Sequence, residues 1–353
     1  MDTNQESSVV SHTGILHVAR LTLARVDGLY DIQGCGTNVR KATKEACQQQ
    51  SVAASTCCCL KSKSGSDKSG YGPMPTDLGK VYDMSAEGSR GPVPLKVYEP
   101  QGSGAFPIIV YFHGGGWVLG GNVSHRAVAA TLASECKTVV VAVDYALAPE
   151  HPFPAGVEDS WAAVQWAAQN AESMKGDANR LAVCGESAGG TMCLVMSMLA
   201  KQHGQQPSLI KAQVPLCPAT DLFSFNSPSY EEFADDEFEG KDDILWFDKH
   251  YLSGPKNNPK DPLVSPLFAK DFSGLPPSLI ITAEVDVLRD EAEQYAEKLE
   301  ENGTYVELVR MKGHCHNSML RLDLFDGTGE SGYDARTTYR NIGAFLHKAF
   351  RTM

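Results

Sequence analysis

The stretch Leu181-Ala182-Val183-Cys184-Gly185-Glu186-Ser187-Ala188-Gly189-Gly190 decides how this chain is read. Four apolar residues of strand character run into a bend of small residues, and a 3.6-residue apolar pattern then continues from Gly190 to Gln202. A strand that turns into a helix in so few residues leaves Ser187 at the apex. The flanking glycines suit a strained turn with no room for side chains beside the serine. Its hydroxyl is thereby projected above a sheet, at a helix N-terminus that favours developing negative charge.

Outward from that turn, a short β-branched run followed by a helical pattern recurs from about residue 79. Expected strands are Lys80–Asp83, Val93–Tyr98, Pro107–Phe112, Thr138–Val143, Leu181–Cys184, Lys211–Leu216, Ser278–Thr282 and Tyr305–Met311. Most are near-continuous apolar runs, as strands covered on both faces require, while the first two are short and closely spaced, as at an antiparallel edge. Expected helices are Val157–Ser173, Gly190–Gln202, Arg289–Asn302 and Ala335–Thr352, with Gly204 and Gly303 placed for C-caps. The alternation predicts an α/β fold with a mostly parallel central sheet flanked by helices. The segment from Asp221 to Lys270 breaks the pattern: it mixes acids between Glu231 and Asp243 with Phe223, Phe225, Tyr230, Phe233, Phe238, Trp246 and Phe247, and reads as a helical cap or lid insertion, about 221–270.

Composition bounds the rest. The 353 residues, 42% hydrophobic and 21% charged, make an ordinary globular chain, which excludes collagen-like, coiled-coil and wholly disordered classes. Net charge is −12, and no Lys/Arg-rich run stands out, so nucleic acid is not an expected partner. No run approaches a membrane span, since Ile15 to Val26 is interrupted by His17, Arg20 and Arg25. Residues 1–70 differ from the remainder. They form an N-terminal extension with an amphipathic pattern at Ile15–Val26, a Ser/Gly/Lys-rich linker at Lys61–Gly72, and five of the 10 cysteines, including consecutive Cys57, Cys58 and Cys59. That spacing suits neither a disulfide framework nor zinc, and the thiols are read as reduced in a cytoplasmic compartment.

A serine at such an apex becomes a nucleophile if a base and an orienting carboxylate meet it, and if donors await the oxyanion. His113-Gly114-Gly115-Gly116-Trp117 follows the Pro107–Phe112 run. Bare glycine amides can approach a substrate oxygen, so Gly114, Gly115 and Ala188 are the expected oxyanion donors. Trp117 and His113 are candidate substrate contacts. After the Ser278–Thr282 run come Glu284, Asp286 and Asp290, of which Asp286 lies in the loop itself. After Tyr305–Met311 comes Lys312-Gly313-His314-Cys315-His316, in which only one histidine can reach Ser187. Loop chemistry alone leaves His314 and His316 open. Cys315 and Cys184 read as small buried fillers.

These motifs, together with Asp144-Tyr145-Ala146-Leu147-Ala148-Pro149-Glu150-His151-Pro152-Phe153-Pro154-Ala155, resemble the hormone-sensitive-lipase-like branch of the α/β-hydrolases, also called bacterial family IV esterases. The likeness runs from about residue 79 to the C-terminus. It implies a catalytic domain over 71–353, a triad of Ser187, Asp286 and His316, and an N-terminal region, 1–70, that contributes part of a cap. Three departures are visible: Ala146 stands where Arg is usual, Val287 where Pro is usual, and Asn317-Ser318 where Gly-Phe is common. The implied activity is hydrolysis of short- to medium-chain or aromatic carboxylic esters through an acyl-enzyme, with neither metal nor cofactor. An amidase or lactonase would use the same machinery, and a non-catalytic small-molecule receptor shares the fold, although related receptors replace the triad histidine. A homodimer is among the assemblies this composition allows.

Overall fold

The computed structural model describes residues 71–204, 208–236, 239–328 and 332–351. The expected amphipathic helix at Ile15–Val26, most of the linker, and Cys57 to Cys59 lie outside them. At the linker's end Tyr71 is buried, its ring 5.1 Å from that of His125.

Eight strands form one sheet: β1 (Leu78–Gly88), β2 (Gly91–Pro100), β3 (Phe106–Phe112), β4 (Val139–Val143), β5 (Gly176–Glu186), β6 (Ala212–Leu216), β7 (Ser278–Val285) and β8 (Val306–Cys315). Their order is β1-β2-β4-β3-β5-β6-β7-β8. β1 pairs with β2, and β2 with β4, antiparallel, and every later pairing is parallel. All eight strands fall where the apolar runs place them, and the first two form the antiparallel edge, although at 11 and 10 residues they are longer than the short runs expected.

Strand alternation divides the core into two layers. Val139, Val141 and Val143 of β4, with Ile108, Val110 and Phe112 of β3, face one side, while Val140, Ala142, Ile109 and Tyr111 face the other. The first side is covered by α2 (Ala155–Gln169) and α3 (Ala188–Gln202), the second by α1 (Arg126–Cys136) and α7 (Arg336–Ala349). α6 (Arg289–Glu301) packs through Tyr295, Ala296 and Leu299 against Ile280 of β7 and Leu194 of α3. Each fully buried Val or Ile contributes roughly 1.5–3 kcal/mol, so the two layers dominate stability.

One helix, α1, lacks a counterpart in the sequence reading. α1 is Ala-rich and buried along Ala127–Ser134, so it has no polar face to generate a 3.6-residue signal. The 221–270 segment contains α4 (Pro228–Glu232), α5 (Lys241–Tyr251) and a 3₁₀ turn at Pro266–Phe268, with no strand among its described residues. The helix expected over Val157–Ser173 stops at Gln169, and a separate 3₁₀ turn covers Glu172–Met174. Gly204 and Gly303 adopt φ of +64° and +82°, as C-cap glycines do.

Candidate active site

Four parallel strands deliver the candidate residues. β3 ends one residue before His113, β5 one before Ser187, β7 one before Asp286 and β8 one before His316. Parallel strands point the same way, so loops distant in sequence meet at one end of the sheet.

Ser187 has φ +56° and ψ −125°, a conformation L-residues rarely adopt. The packing beside it enforces the turn: a Cβ on Gly189 would come within 2.0 Å of the Phe112 carbonyl oxygen. The Ser187 N–H donates to the Leu216 carbonyl at 2.8 Å, fastening the turn to the end of β6. α3 begins at Ala188, two residues earlier than the apolar pattern suggests. As the first helical residue, Ala188 has an N–H with no intrahelical acceptor.

The histidine ambiguity resolves in space. His316 Nδ1 donates to Asp286 Oδ2 at 2.8 Å, and both residues are buried. Asp286 Oδ1 accepts the Leu288 N–H at 2.9 Å, which holds the carboxylate in place. His314 turns away: its Nδ1 meets Ser318 Oγ at 2.9 Å, its ring packs on Phe325 and Tyr333, and burial lowers its pKa to about 3. The other acids are also spent elsewhere. Glu284 accepts the Gly313 N–H at 2.7 Å, and Asp290 accepts from Arg289 Nε and the Ser229 N–H.

Burial by itself would lower the pKa of His316, but the carboxylates of Asp286 and Glu239 outweigh it and hold it well above 6.5. Glu239 Oε2 lies 2.8 Å from His316 Nε2. Sequence reasoning missed this residue, because an acid within the Glu231–Asp243 run reads as solvated surface. Cys217 lies on the same imidazole. Burial pushes its thiol up, so it stands there neutral. Ligand atoms of Cys217, Asp286 and His316 come within 4.8 Å of one another, the one such group of three among the described residues, but the His–Asp pair is already joined by its hydrogen bond.

The glycine loop departs from expectation at one position. The Gly114 N–H donates to Glu186 Oε1 at 2.8 Å, so it is consumed in holding the loop and is not offered to a substrate. Among the described residues no backbone acceptor is recorded for the amides of Gly115 and Gly116. Glu186 is fully buried and also accepts from Tyr111 Oη at 2.8 and 2.9 Å, with His125 Nε2 at 3.3 Å. Nothing in the motif's spacing distinguishes this supporting role from a solvent-facing acid.

His113 and Trp117 are packed as supports for the loop rather than as walls of an open pocket. His113 is 1% exposed, donates from Nδ1 to the Gly114 carbonyl (2.7 Å), and stacks on Tyr145 at 4.3 Å. Burial lowers its pKa to about 3, with neighbouring His125 adding to the effect. Trp117 stacks on Tyr251 of α5 at 4.4 Å. The Asp144–Ala155 motif braces this loop from below: Tyr145 Oη donates to the His113 carbonyl at 2.6 Å, the Ala148 N–H to that of Trp117 at 2.8 Å, and Asp144 accepts the Asn122 N–H at 3.0 Å.

An eight-stranded sheet with a serine turn after β5 and a His–Asp pair from later strands defines the α/β-hydrolase class, and comparison with known proteins agrees. The sequence model of the alpha/beta hydrolase fold family matches residues 109–320. The carboxylic ester hydrolase LipN of Mycobacterium tuberculosis is 40% identical over 258 residues, 71% of this chain and 67% of that protein. Carboxylesterase NlhH of the same species is 42% identical over 219 residues, 61% of this chain and 68% of that protein. A solved esterase of Pyrobaculum calidifontis superimposes with a TM-score of 0.72 at 32% identity, covering 92% of this chain and 96% of that one. The chain belongs to the α/β-hydrolase family, in its hormone-sensitive-lipase-like branch, and is a carboxylic ester hydrolase. No helix among the described residues is long and apolar enough to cross a membrane.

Proposed function

We propose that Ser187, His316 and Asp286 carry the ester hydrolysis. Ser187 Oγ attacks the ester carbonyl, His316 Nε2 takes its proton, and Asp286 holds the imidazolium through Nδ1. The tetrahedral oxyanion is held by the amides of Gly115 and Ala188, with Gly116 in the place first expected of Gly114. His316 returns its proton to the departing alcohol, and a water activated by His316 releases the acyl group. The observation that carries this reading is the 2.8 Å bond from His316 Nδ1 to Asp286, which leaves Nε2 as the nitrogen available to carry a proton. Substrates are short- to medium-chain or aromatic esters, admitted beneath the 221–270 segment acting as a lid. The five free cysteines among the described residues suit a reducing cytoplasm.

Labelling by a serine-directed phosphonate tests the assignment. Modification of Ser187, together with a loss of at least ~10⁴-fold in kcat for Ser187→Ala, is the expected result. A Ser187→Ala enzyme with undiminished p-nitrophenyl ester hydrolysis overturns it.

A further inference from the structure

We infer that Glu239 is an autoinhibitory latch: the start of α5 is held shut over the site by a carboxylate seated on the imidazole nitrogen that must receive the Ser187 proton, and turnover requires that contact to break. This rests on the reading of His316 as proton carrier. Glu239 Oε2 lies 2.8 Å from His316 Nε2, and each side chain is 5% exposed. Among the described residues no hydrogen bond joins Ser187 Oγ to that nitrogen. The base is therefore engaged by the lid and not by the nucleophile. Ser187 and His316 are both buried, so an ester carbonyl reaches the serine only when its cover lifts.

The cover is fastened differently along its length. Ser229 of α4 is tied to the fold's body, its N–H donating to Asp290 at 2.8 Å and its hydroxyl to the Val287 carbonyl at 2.6 Å. At the far end of α5 the Tyr251 carbonyl accepts the Phe153 N–H at 2.9 Å, and the Tyr251 ring stacks on Trp117. Between them, Phe247 rests on the glycine loop, so closely that a Cβ on Gly116 would lie 2.2 Å from its ring. At the start of α5 the Lys241 ties stay inside the segment: its N–H donates to the Ala234 carbonyl and its ammonium to that of Phe225, lying 5.9 Å over the Tyr230 ring. Glu239 carries this end across to the catalytic base, which makes Tyr251 the pivot and Glu239 the catch. The docked helix also carries an opposing charge. Asp248 Oδ1 is buried with no hydrogen-bond partner among the described residues, and burial raises its pKa to about 6, so at neutral pH an unpaired carboxylate works against closure. A lid held by a latch against such a cost is poised to open.

Hydrogen–deuterium exchange of the full chain at pH 7 reads the lid without reference to activity. Peptides covering Lys241–Tyr251 are expected to exchange at least ~10-fold faster in both Glu239→Gln and Glu239→Ala than in wild type, because one partner of a buried pair is gone. His316→Asn removes the other partner and is expected to release the same peptides. The double variant Glu239→Ala/His316→Asn should go no further than the larger single effect, as one shared contact requires. Peptides from α1 should stay within about 2-fold of wild type in every variant. Unchanged α5 exchange in both Glu239 variants, additive effects in the double variant, or equal acceleration of α1 overturns the latch alone and leaves the triad standing. A Ser187→Ala enzyme with undiminished ester hydrolysis overturns the triad reading and the latch with it.

Discussion

Glu186 and Gly114 are joined by a 2.8 Å hydrogen bond from the glycine amide to a buried carboxylate oxygen. The residue immediately before the nucleophile candidate thus holds the first glycine of the loop that faces it. Two elements 72 residues apart are set at a fixed spacing by one side chain, which itself rests on Tyr111. Any error in that spacing is an error in where the oxyanion donors sit.

Replacing Glu186 with Gln keeps the shape but weakens the charge-assisted bonds to Gly114 and Tyr111. We expect kcat to fall about 10–100-fold with KM little changed, because loop placement matters most in the transition state. Steady-state kinetics on a p-nitrophenyl ester checks this; a kcat equal to wild type would show that the loop holds its position without the carboxylate.

The two histidines separate cleanly by mutation. His316→Asn should lower kcat by at least ~10⁴-fold, whereas His314→Asn, which removes a packed ring from behind the loop, should stay within about tenfold. Kinetics of the two purified variants at one pH decides it, and comparable losses in both would refute the assignment.

Attack by Ser187 requires neutral His316, and nearby carboxylates raise its pKa against the effect of burial. Activity should therefore rise with pH through an apparent pKa above the ordinary 6.5. Glu239→Gln removes one of those carboxylates, so the acid limb should move to lower pH. A kcat/KM profile of both enzymes between pH 5 and 9 reads the shift directly, and coincident limbs would contradict it.

His113 and His314 act on stability with the opposite sign. Each is held neutral in the fold, with a pKa lowered from 6.5 to about 3 chiefly by burial. Between those values the unfolded chain binds protons that the native chain refuses. Their contribution is thus complete above pH 6.5 and is lost as pH falls, at up to about 1.4 kcal/mol per pH unit per histidine. Chemical denaturation at pH 7 and pH 5 should show His314→Asn losing less stability on acidification than wild type, and parallel losses would count against it.

Gly189→Ala tests the turn, since the added methyl carbon meets the Phe112 carbonyl oxygen at 2.0 Å. Overpacking of this kind costs roughly 1–3 kcal/mol or more. A lower unfolding midpoint with a larger loss of activity is expected, and a variant as stable and active as wild type would show that the turn relaxes freely.

The strands were legible because burial on both faces demands unbroken apolar runs such as Val139–Val143, and no other local structure uses β-branched residues that way. α1 was not, because a helix buried around Ala127–Ser134 has no polar face to mark its period. The loop positions of Ser187, Asp286 and His316 follow from strand ends, so chain order alone nominates them. Which of several neighbouring polar side chains turns inward depends on rotamers and packing, which local patterns do not encode.

What the amino-acid order determined by itself was the alternation of strand and helix, the serine bend and the glycine loop, since these obey short-range rules of periodicity and backbone sterics. Tertiary structure alone decided that Gly114 gives its amide to Glu186 and that Glu239 comes to His316 Nε2, and it joined to Asp286 the histidine, His316, that the motif resemblance had already nominated over His314. Each of these is a contact between residues far apart in the chain, fixed by the common direction of parallel strands and by the need to satisfy buried charge, and neither condition exists until the sheet has formed.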